Sequence, residues 1–441
     1  ESVMTGQEAV DYIHSAWGRG KKDGLRKITE LMHHLGDPQD KLRYVHVVGT
    51  NGKGSTTSMI AHSLTAAGYR TGMFISPFIL DFRERMQING EMISPEALAS
   101  CVEEVRREAD QMAAEGRQPT EFELVCASAF VWFAREQCEV VVLEAGIGGR
   151  LDSTNIVKDT LAAVICSIGL DHVEVLGDTP AKIAAEKCGV LRPGIPCICY
   201  PDQDLDALAV IMEKAAEQNC RLTQGNLRAV EVKRMTLEGT DLRYRDLSIH
   251  LPLVGRYQIA NCVNAVEALL ALRARGMNIP DSAIVRGIGE TFFPVRMEVV
   301  SRCPTVILDG AHNESGAAAL SGSLEGLVTG RLVILIGMMK DKDVRHAISR
   351  TLPLADRVYT VEPLDNPRAM PSDELAVLAG EYCADVRSWG KELDKAFADA
   401  YDSLSPEDTL LVCGSLYVAS DLRHTARRFF EGRGIPHSPH L

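Results

Sequence analysis

Residues 44 to 64, YVHVVGTNGKGSTTSMIAHSL, constrain the fold more than any other part of the 441-residue chain. An apolar run passes into glycines around one lysine and then into helical spacing, which predicts strand, tight loop and helix in succession. Such a loop turns its backbone N–H groups and the following helix N-terminus toward one point, and the natural occupant of that point is a phosphate. The spacing departs from the standard phosphate loop, G-x-x-x-x-G-K-[ST]. Only Thr50 and Asn51 lie between Gly49 and Gly52, and Gly54 separates Lys53 from Ser55. The strand before and the helix after favour a phosphate-binding loop over a glycine-rich turn with a surface lysine.

Continuous apolar runs recur with helical stretches between them: TGMFIS, EVVVLEAG, LAAVICSIG and IPCICY. Strands of this kind are buried on both faces, and their alternation with helices predicts a parallel sheet. From about Asn226 to Gly255 alternating strands around the turn EGTD predict a small antiparallel appendage, and YQIANCVNAVEALLALRARG predicts a long helix closed by Gly276. TFFPVRMEVV then resets the pattern, so the domain boundary is placed near Pro294; a chain this long exceeds what one core serves. Beyond it TVILDGAHN, RLVILIGMM, DRVYTVEP and TLLVCGSLYVASDLR repeat the strand-then-polar-loop arrangement. The expected fold is α/β. Residues 1–294 form a P-loop-type, mostly parallel nucleotide-binding domain with the antiparallel appendage, and residues 295–441 a smaller Rossmann-like domain. The tail GRGIPHSPHL is expected to fray.

Ligands of open α/β sheets sit beyond the carboxyl ends of the strands. Three polar residues end or follow apolar runs there: Ser76, Glu144 and His172. A nucleoside triphosphate brings Mg²⁺, a hard cation that prefers oxygen, so Glu144 is the best candidate ligand and Ser76 supplies a second oxygen. Imidazole is softer, which leaves His172 open between a ligand and a residue behind one. EAGIGGRLDSTN lacks the G-x-G-x-x-G spacing of a dinucleotide fingerprint and instead lets Arg150 and Asp152 approach a ligand closely. In VILDGAHN a carboxylate at Asp309 suits a ribose hydroxyl, and His312 either steadies charge near a triphosphate or is exposed beside a helix cap.

The formal net charge of -13 argues against a polyanion as partner, although a small anion remains compatible if cations gather locally. The twelve cysteines are scattered without zinc-knuckle spacing, as expected of reduced thiols in a cytoplasmic protein. The first residues lack the basic and apolar regions of a signal peptide, and no run approaches the roughly 18 apolar residues of a membrane span. Neither nucleic acid nor membrane is an expected partner.

GTNGKGS, SPF followed by FRERMQING, EAGIGGRLDSTN, GLDHVEVLGDT, EKCGVLRPG, DGAHN, MMKDKD and GSLYVASDLR occur in an order and spacing that resemble the folylpolyglutamate synthase and dihydrofolate synthase family, a branch of the Mur ligases. The resemblance covers nearly the whole chain. It implies ATP-dependent amide ligation, in which ATP phosphorylates a folate or dihydropteroate carboxylate and the amine of L-glutamate attacks the acyl phosphate. Residues 1–294 would then be the ATP-binding Mur-type central domain and 295–441 the glutamate-ligase domain.

By position, the resemblance implies that Asn51, Gly52, Lys53, Gly54, Ser55 and Thr56 form the triphosphate loop and that Ser76, Glu144 and His172 bind Mg²⁺. A monovalent cation such as K⁺ accompanies it. Asn261, Arg296 and Asp309 become ATP contacts, with nucleotide between the domains. Taken with the reading of His312 above, the candidate catalytic residues are Lys53, Lys187 and His312. Glu121, Phe122, Arg150, Leu151, Asp152 and Ser153 fall where the pteridine substrate is expected, as does the early loop KKDGLRKI. Lys187, by itself a solvated charge near a helix C-terminus, matches a lysine that is carbamylated in the family. The expected partners are small molecules, and the expected state is a monomer.

Four positions depart from the family pattern: Phe78 for a histidine, Phe293 for a tryptophan, Val295 for a glycine, and GRYQ for G-x-H-Q. The alternative is a cell-wall Mur ligase, which carries a substantial extra domain before the phosphate loop; only 48 residues precede Gly49 here. A nucleotide-dependent switch would account for the loop but not for DGAHN in a second α/β domain. Which acceptor is used, dihydropteroate or a reduced folate, is left open by the sequence.

Overall fold

Strand β1 (Tyr44–Val48) is buried along its whole length, as a strand sandwiched between helical layers must be. It pairs in parallel with β5 (Val140–Glu144) on one side and β6 (Thr160–Ile165) on the other. A computed structural model of the chain describes residues 3–78, 80–340 and 343–441. The first sheet also contains β2 (Thr71–Phe74), β3 (Met86–Ile88), β4 (Glu91–Met92), β7 (Cys197–Cys199) and β8 (Leu222–Gln224), in the order β4-β3-β2-β5-β1-β6-β7-β8. It is parallel from β2 to β8, and β3 and β4 run antiparallel at one edge.

The expected appendage is a three-stranded sheet of β9 (Glu231–Thr236), β10 (Gly239–Tyr244) and β11 (Leu247–Leu251). Two-residue connections make it an antiparallel meander. The long helix follows at Arg256–Ala274. A second, six-stranded sheet has the order β12-β13-β17-β14-β15-β16, where β12 is Glu298–Ser301, β13 Thr305–Leu308, β14 Leu332–Ile336, β15 Arg357–Thr360, β16 Val386–Ser388 and β17 Thr409–Cys413. All its pairs are parallel except β12 with β13.

Two compact units result: residues 1–231, 243–249 and 260–291 in one, and 232–242, 250–259 and 292–441 in the other. Each has its own core. That of the first includes Tyr44, Phe130 and Phe133, and that of the second Ile334, Ile348 and Leu411. Helix ends follow local rules: Thr120 and Glu123 form a reciprocal capping box at the start of Glu121–Arg135, and Gly434, at φ 65°, closes Leu416–Arg433.

The tail does not fray. Ser438 N donates to Val300 O at 2.8 Å, Ser301 Oγ donates to Pro436 O at 2.9 Å, and the His440 ring stacks on Phe292 at 4.2 Å. The reason is edge pairing: β12 is the outermost strand of its sheet, and its free backbone groups bind a segment whose composition alone reads as disordered.

One residue of β1 breaks the apolar run. His46 is fully buried, its Nε2 lies 2.8 Å from Thr154 Oγ1, and that hydroxyl lies 2.5 Å from Asp152 Oδ2. Because the hydroxyl donates to the carboxylate, its oxygen accepts from His46 Nε2–H. Nδ1 is left buried without a hydrogen-bond partner. Burial, partly opposed by the Asp152 carboxylate, pushes the imidazole down to about 4 from 6.5. Across that window the unfolded imidazole takes up a proton that the folded one refuses, so stability falls as pH drops, by on the order of 3 kcal/mol in full. Urea titrations at neutral pH and near pH 4 should therefore show a larger acid loss for wild type than for His46→Gln. Equal losses would refute a buried neutral imidazole.

Candidate active site

Strand order places the carboxyl ends of β2, β5, β1 and β6 side by side, so the segments leaving them meet at one edge of the first sheet. The glycine-rich loop after β1 is stitched to the segment after β6. Thr50 N and Asn51 N donate to Ser167 O at 2.8 and 3.2 Å, and Thr50 Oγ1 both donates to Gly169 O and accepts from Gly169 N. Gly52, at φ 86°, caps the helix Lys53–Ala66, and a Cβ there would stand 2.4 Å from Asn261 Oδ1. The loop thus needs glycine for both backbone angle and space, and Asn261 lies against it. Gly54, Ser55 and Thr56 form the buried first turn of that helix.

Two lysines converge on this loop and its neighbour. Lys53 Nζ donates to the carbonyls of Ala145 and Gly146 at 3.2 and 3.1 Å. Lys187, the last residue of the helix Pro180–Lys187, is buried rather than solvated, with Nζ donating to Gly49 O at 2.9 Å. Desolvation, reinforced by the charge of Lys53 and opposed by Asp171, lowers its amine to about 7. A helix C-terminus favours a cation, but the Lys187 side chain is buried, on a helix whose Ile183 and Ala184 belong to a core cluster. Burial therefore decides its state.

Glu144, buried at the end of β5, accepts from Ser76 N at 3.3 Å. His172 is exposed just before the short helix Val173–Leu176, at φ 48°, with its amide donating to Asp171 Oδ1 at 2.9 Å. Among the described residues, no three His, Cys, Asp or Glu side chains form a ready metal cluster. Oxygen donors of Ser76 and Glu144 nevertheless suit a hard cation that retains most of its waters.

Asp152 accepts from Gly146 N and Ile147 N at 3.0 and 2.8 Å through one oxygen, and from Thr154 N at 3.1 Å through the other. It thereby pins the loop whose carbonyls hold Lys53. Phe122 packs onto that loop, 2.7 Å from where a Gly146 Cβ would stand. Glu121 Oε1 is 3.1 Å from His14 Nδ1. Arg150 is exposed and paired with Glu186 at 3.1 Å, Leu151 is exposed, and Ser153 is buried. In the early loop, Lys27 Nζ donates to Gln118 O at 2.9 Å and to Lys21 O.

In the second unit, Asp309 is buried beyond β13. Its Oδ2 accepts from Met297 N at 2.9 Å and its Oδ1 from Ala311 N at 2.8 Å. Burial holds its carboxyl above the usual range, with the Arg296 charge opposing. Arg296 also lies over the Phe293 ring at 5.6 Å. His312 Nδ1 is 3.1 Å from Gly310 O, and Asn313 caps the helix Glu314–Leu324 by accepting from Gly316 N at 2.7 Å. Of the MMKDKD block, Asp341 and Lys342 lie outside the described residues. Sequence reasoning gave no role to His46, Thr154 and Asp171; His46 inside an apolar run and Asp171 just after one carried that signal, whereas Thr154 carried none.

Comparison with known proteins matches residues 47–269 to the Mur ligase middle domain and residues 295–416 to the Mur ligase glutamate ligase domain. Folylpolyglutamate synthase of Lacticaseibacillus casei is 34% identical over 434 residues, covering 96% of this chain and 99% of that one. Dihydrofolate synthase/folylpolyglutamate synthase of Bacillus subtilis is 35% identical, covering 95% and 98%. Among solved structures, Escherichia coli FolC in complex with DHPP and ADP superposes with a TM-score of 0.83 at 30% identity, covering 96% and 99%. Two domain matches in tandem, with about a third of the residues shared along almost the full length of both relatives, place this chain in the Mur ligase family, on its folylpolyglutamate and dihydrofolate synthase branch.

Proposed function

We propose that the chain is an ATP-dependent ligase that joins L-glutamate to the carboxylate of a folate or of dihydropteroate. The observation that carries this reading is the Gly49–Lys53 loop. It stands at a helix N-terminus between β5 and β6, with Lys53 reaching across to the Ala145–Gly146 carbonyls.

In the proposed reaction a carboxylate oxygen attacks the γ-phosphorus and ADP leaves. The glutamate amine then attacks the acyl carbon, a C–N bond forms, and inorganic phosphate departs with the C–O bond electrons while the amine loses a proton. The backbone N–H groups of 51–56 and the Lys53 ammonium stabilise charge on the transferring phosphoryl group. Ser76, Glu144 and His172 would hold Mg²⁺, which neutralises phosphate charge when bound. Asn261, Arg296 and Asp309 are proposed ATP contacts, and His312 a proposed neighbour of the phosphoryl group. Phe122 and the Gly146–Ser153 loop are proposed to receive the pteridine.

Lys53→Ala should reduce ligation by at least about a thousandfold, since one lost charge contact at a reacting phosphate costs several kcal/mol. Its melting temperature without ATP should match wild type, and the ATP-induced rise should largely vanish. An active Lys53→Ala enzyme would remove the phosphate loop from the mechanism. Parallel assays with dihydropteroate and tetrahydrofolate distinguish the two acceptors.

Lys187 is proposed to be carbamylated: its neutral amine attacks the carbon of CO₂ and releases one proton, giving an anion where an ammonium stood. Carbamylation requires the neutral amine, and an amine lowered to about 7 supplies it near neutral pH. Isotope-labelled bicarbonate should yield a carbamate resonance that disappears in Lys187→Ala, and acetate should partly restore the activity of that variant. Normal activity in Lys187→Ala would overturn the assignment.

A further inference from the structure

Val295 and Met297 both sit at left-handed backbone angles, φ 54° and φ 47°. For a β-branched residue that conformation is strained and persists only where the surroundings hold it. Arg296 stands between them, at the crown of a small backbone arch.

Three hydrogen bonds hold the arch. Val295 O accepts from Gly310 N at 2.8 Å, Met297 N donates to Asp309 Oδ2 at 2.9 Å, and Val295 N donates to Glu298 Oε1 at 3.1 Å. The first two come from the DGAHN loop. The third depends on a carboxylate that is itself buried, and its orientation is fixed from behind. Arg423, on the helix Leu416–Arg433, meets Glu298 with two bonds, Nε to Oε1 at 3.0 Å and Nη2 to Oε2 at 2.9 Å. Both side chains are only 4% exposed. The Arg423 Nη2 also donates to His440 O at 2.6 Å.

A fully buried ion pair adds little net stability by comparison with apolar residues of the same size. What it does supply is direction: a planar guanidinium fork sets a carboxylate in one orientation. Here that orientation points Oε1 at the amide before Arg296.

We infer that Arg423 and Glu298 are positioning residues for Arg296, holding the strained 295–297 arch so that its guanidinium is presented to the nucleotide. This rests on the proposed role of Arg296 as an ATP contact. Neither Arg423 nor Glu298 is itself among the proposed ATP contacts.

The test uses the full chain and a non-hydrolysable ATP analogue. Glu298→Leu with Arg423→Met removes the anchor while filling the space with apolar side chains. Affinity for the analogue should fall about tenfold, since a misplaced charge contact costs an order of magnitude or more. The KM for glutamate and the melting temperature without nucleotide should stay near wild type. Arg296→Ala should weaken the analogue at least as much, and adding the double substitution to it should cause no further loss, because both act through one side chain. Should the double variant not fold, Arg423→Lys serves instead: it keeps charge but loses the fork, and should weaken the analogue about threefold at unchanged melting temperature. Unchanged affinity in these variants, or losses that add to that of Arg296→Ala, would overturn the inference. Unchanged affinity in Arg296→Ala alone would instead overturn the nucleotide role of Arg296.

Discussion

The backbone ladder that seats β1 between β5 and β6 decides where the charged groups of the first unit end up. Val47 is in register with Glu144 on one side and with Val164 on the other. Once that register is set, the glycine loop, the Ala145–Ser153 segment and the Ser167–His172 segment must emerge together. Beyond the end of the parallel ladder, the bonds of Thr50 and Asn51 to Ser167 and Gly169 tie the two emerging segments together, with Asn51 and Ser167 forming an isolated antiparallel bridge. Side-chain chemistry at this edge is therefore inherited from main-chain pairing, and it needs no long-range electrostatic attraction to assemble.

Electrostatics then sets the charge state of what has been assembled. An acidic chain of net charge -13 concentrates two lysines at one loop. Two ammonium groups beside each other, one of them buried, cannot both stay charged at little cost. The structure resolves the conflict at Lys187, whose amine is lowered to about 7 while its nitrogen stays bound to Gly49 O. One cation faces the proposed phosphate, and the other position is able to become neutral or, after carbamylation, negative.

Much of this was legible in the residues themselves. Continuous apolar runs gave the parallel strands, and the polar residue ending each run, Glu144 above all, marked the functional edge. The burial of Lys187 was not legible, because its short helix reads as amphipathic whichever part of the chain it covers; only tertiary packing puts it beneath Gly49. His46 was hidden in the same way, since one polar residue in an apolar strand carries no sign of its partner 108 positions away. The tail was misread because composition describes what a segment does alone, and Ser438 instead meets the free edge of β12. Val295 was visible as a departure from a glycine, but its left-handed angle shows why glycine would be easy there and why valine needs an anchor.

Both units use one device at their proposed ligand edges: a buried carboxylate collects backbone N–H groups and thereby fixes the loop that carries a cation or holds one. Asp152 does so with three amides and a hydroxyl. Asp309 does so with two amides, and the Tyr257 hydroxyl also bonds to it, one donor fewer than Asp152 has. The difference matters, because a buried carboxylate with fewer donors leans more on neighbouring positive charge. For Asp309 that charge is Arg296, which opposes the upward push of burial. Arg296 and Asp309 are therefore coupled through charge as well as through the Met297 amide. Removing the arginine leaves a buried carboxylate short of its cation, which favours protonation of Asp309 and weakens its hold on the arch. The effects of substituting these two residues should fall short of additive, and a double-mutant cycle between them would measure the coupling that builds this edge of the second unit.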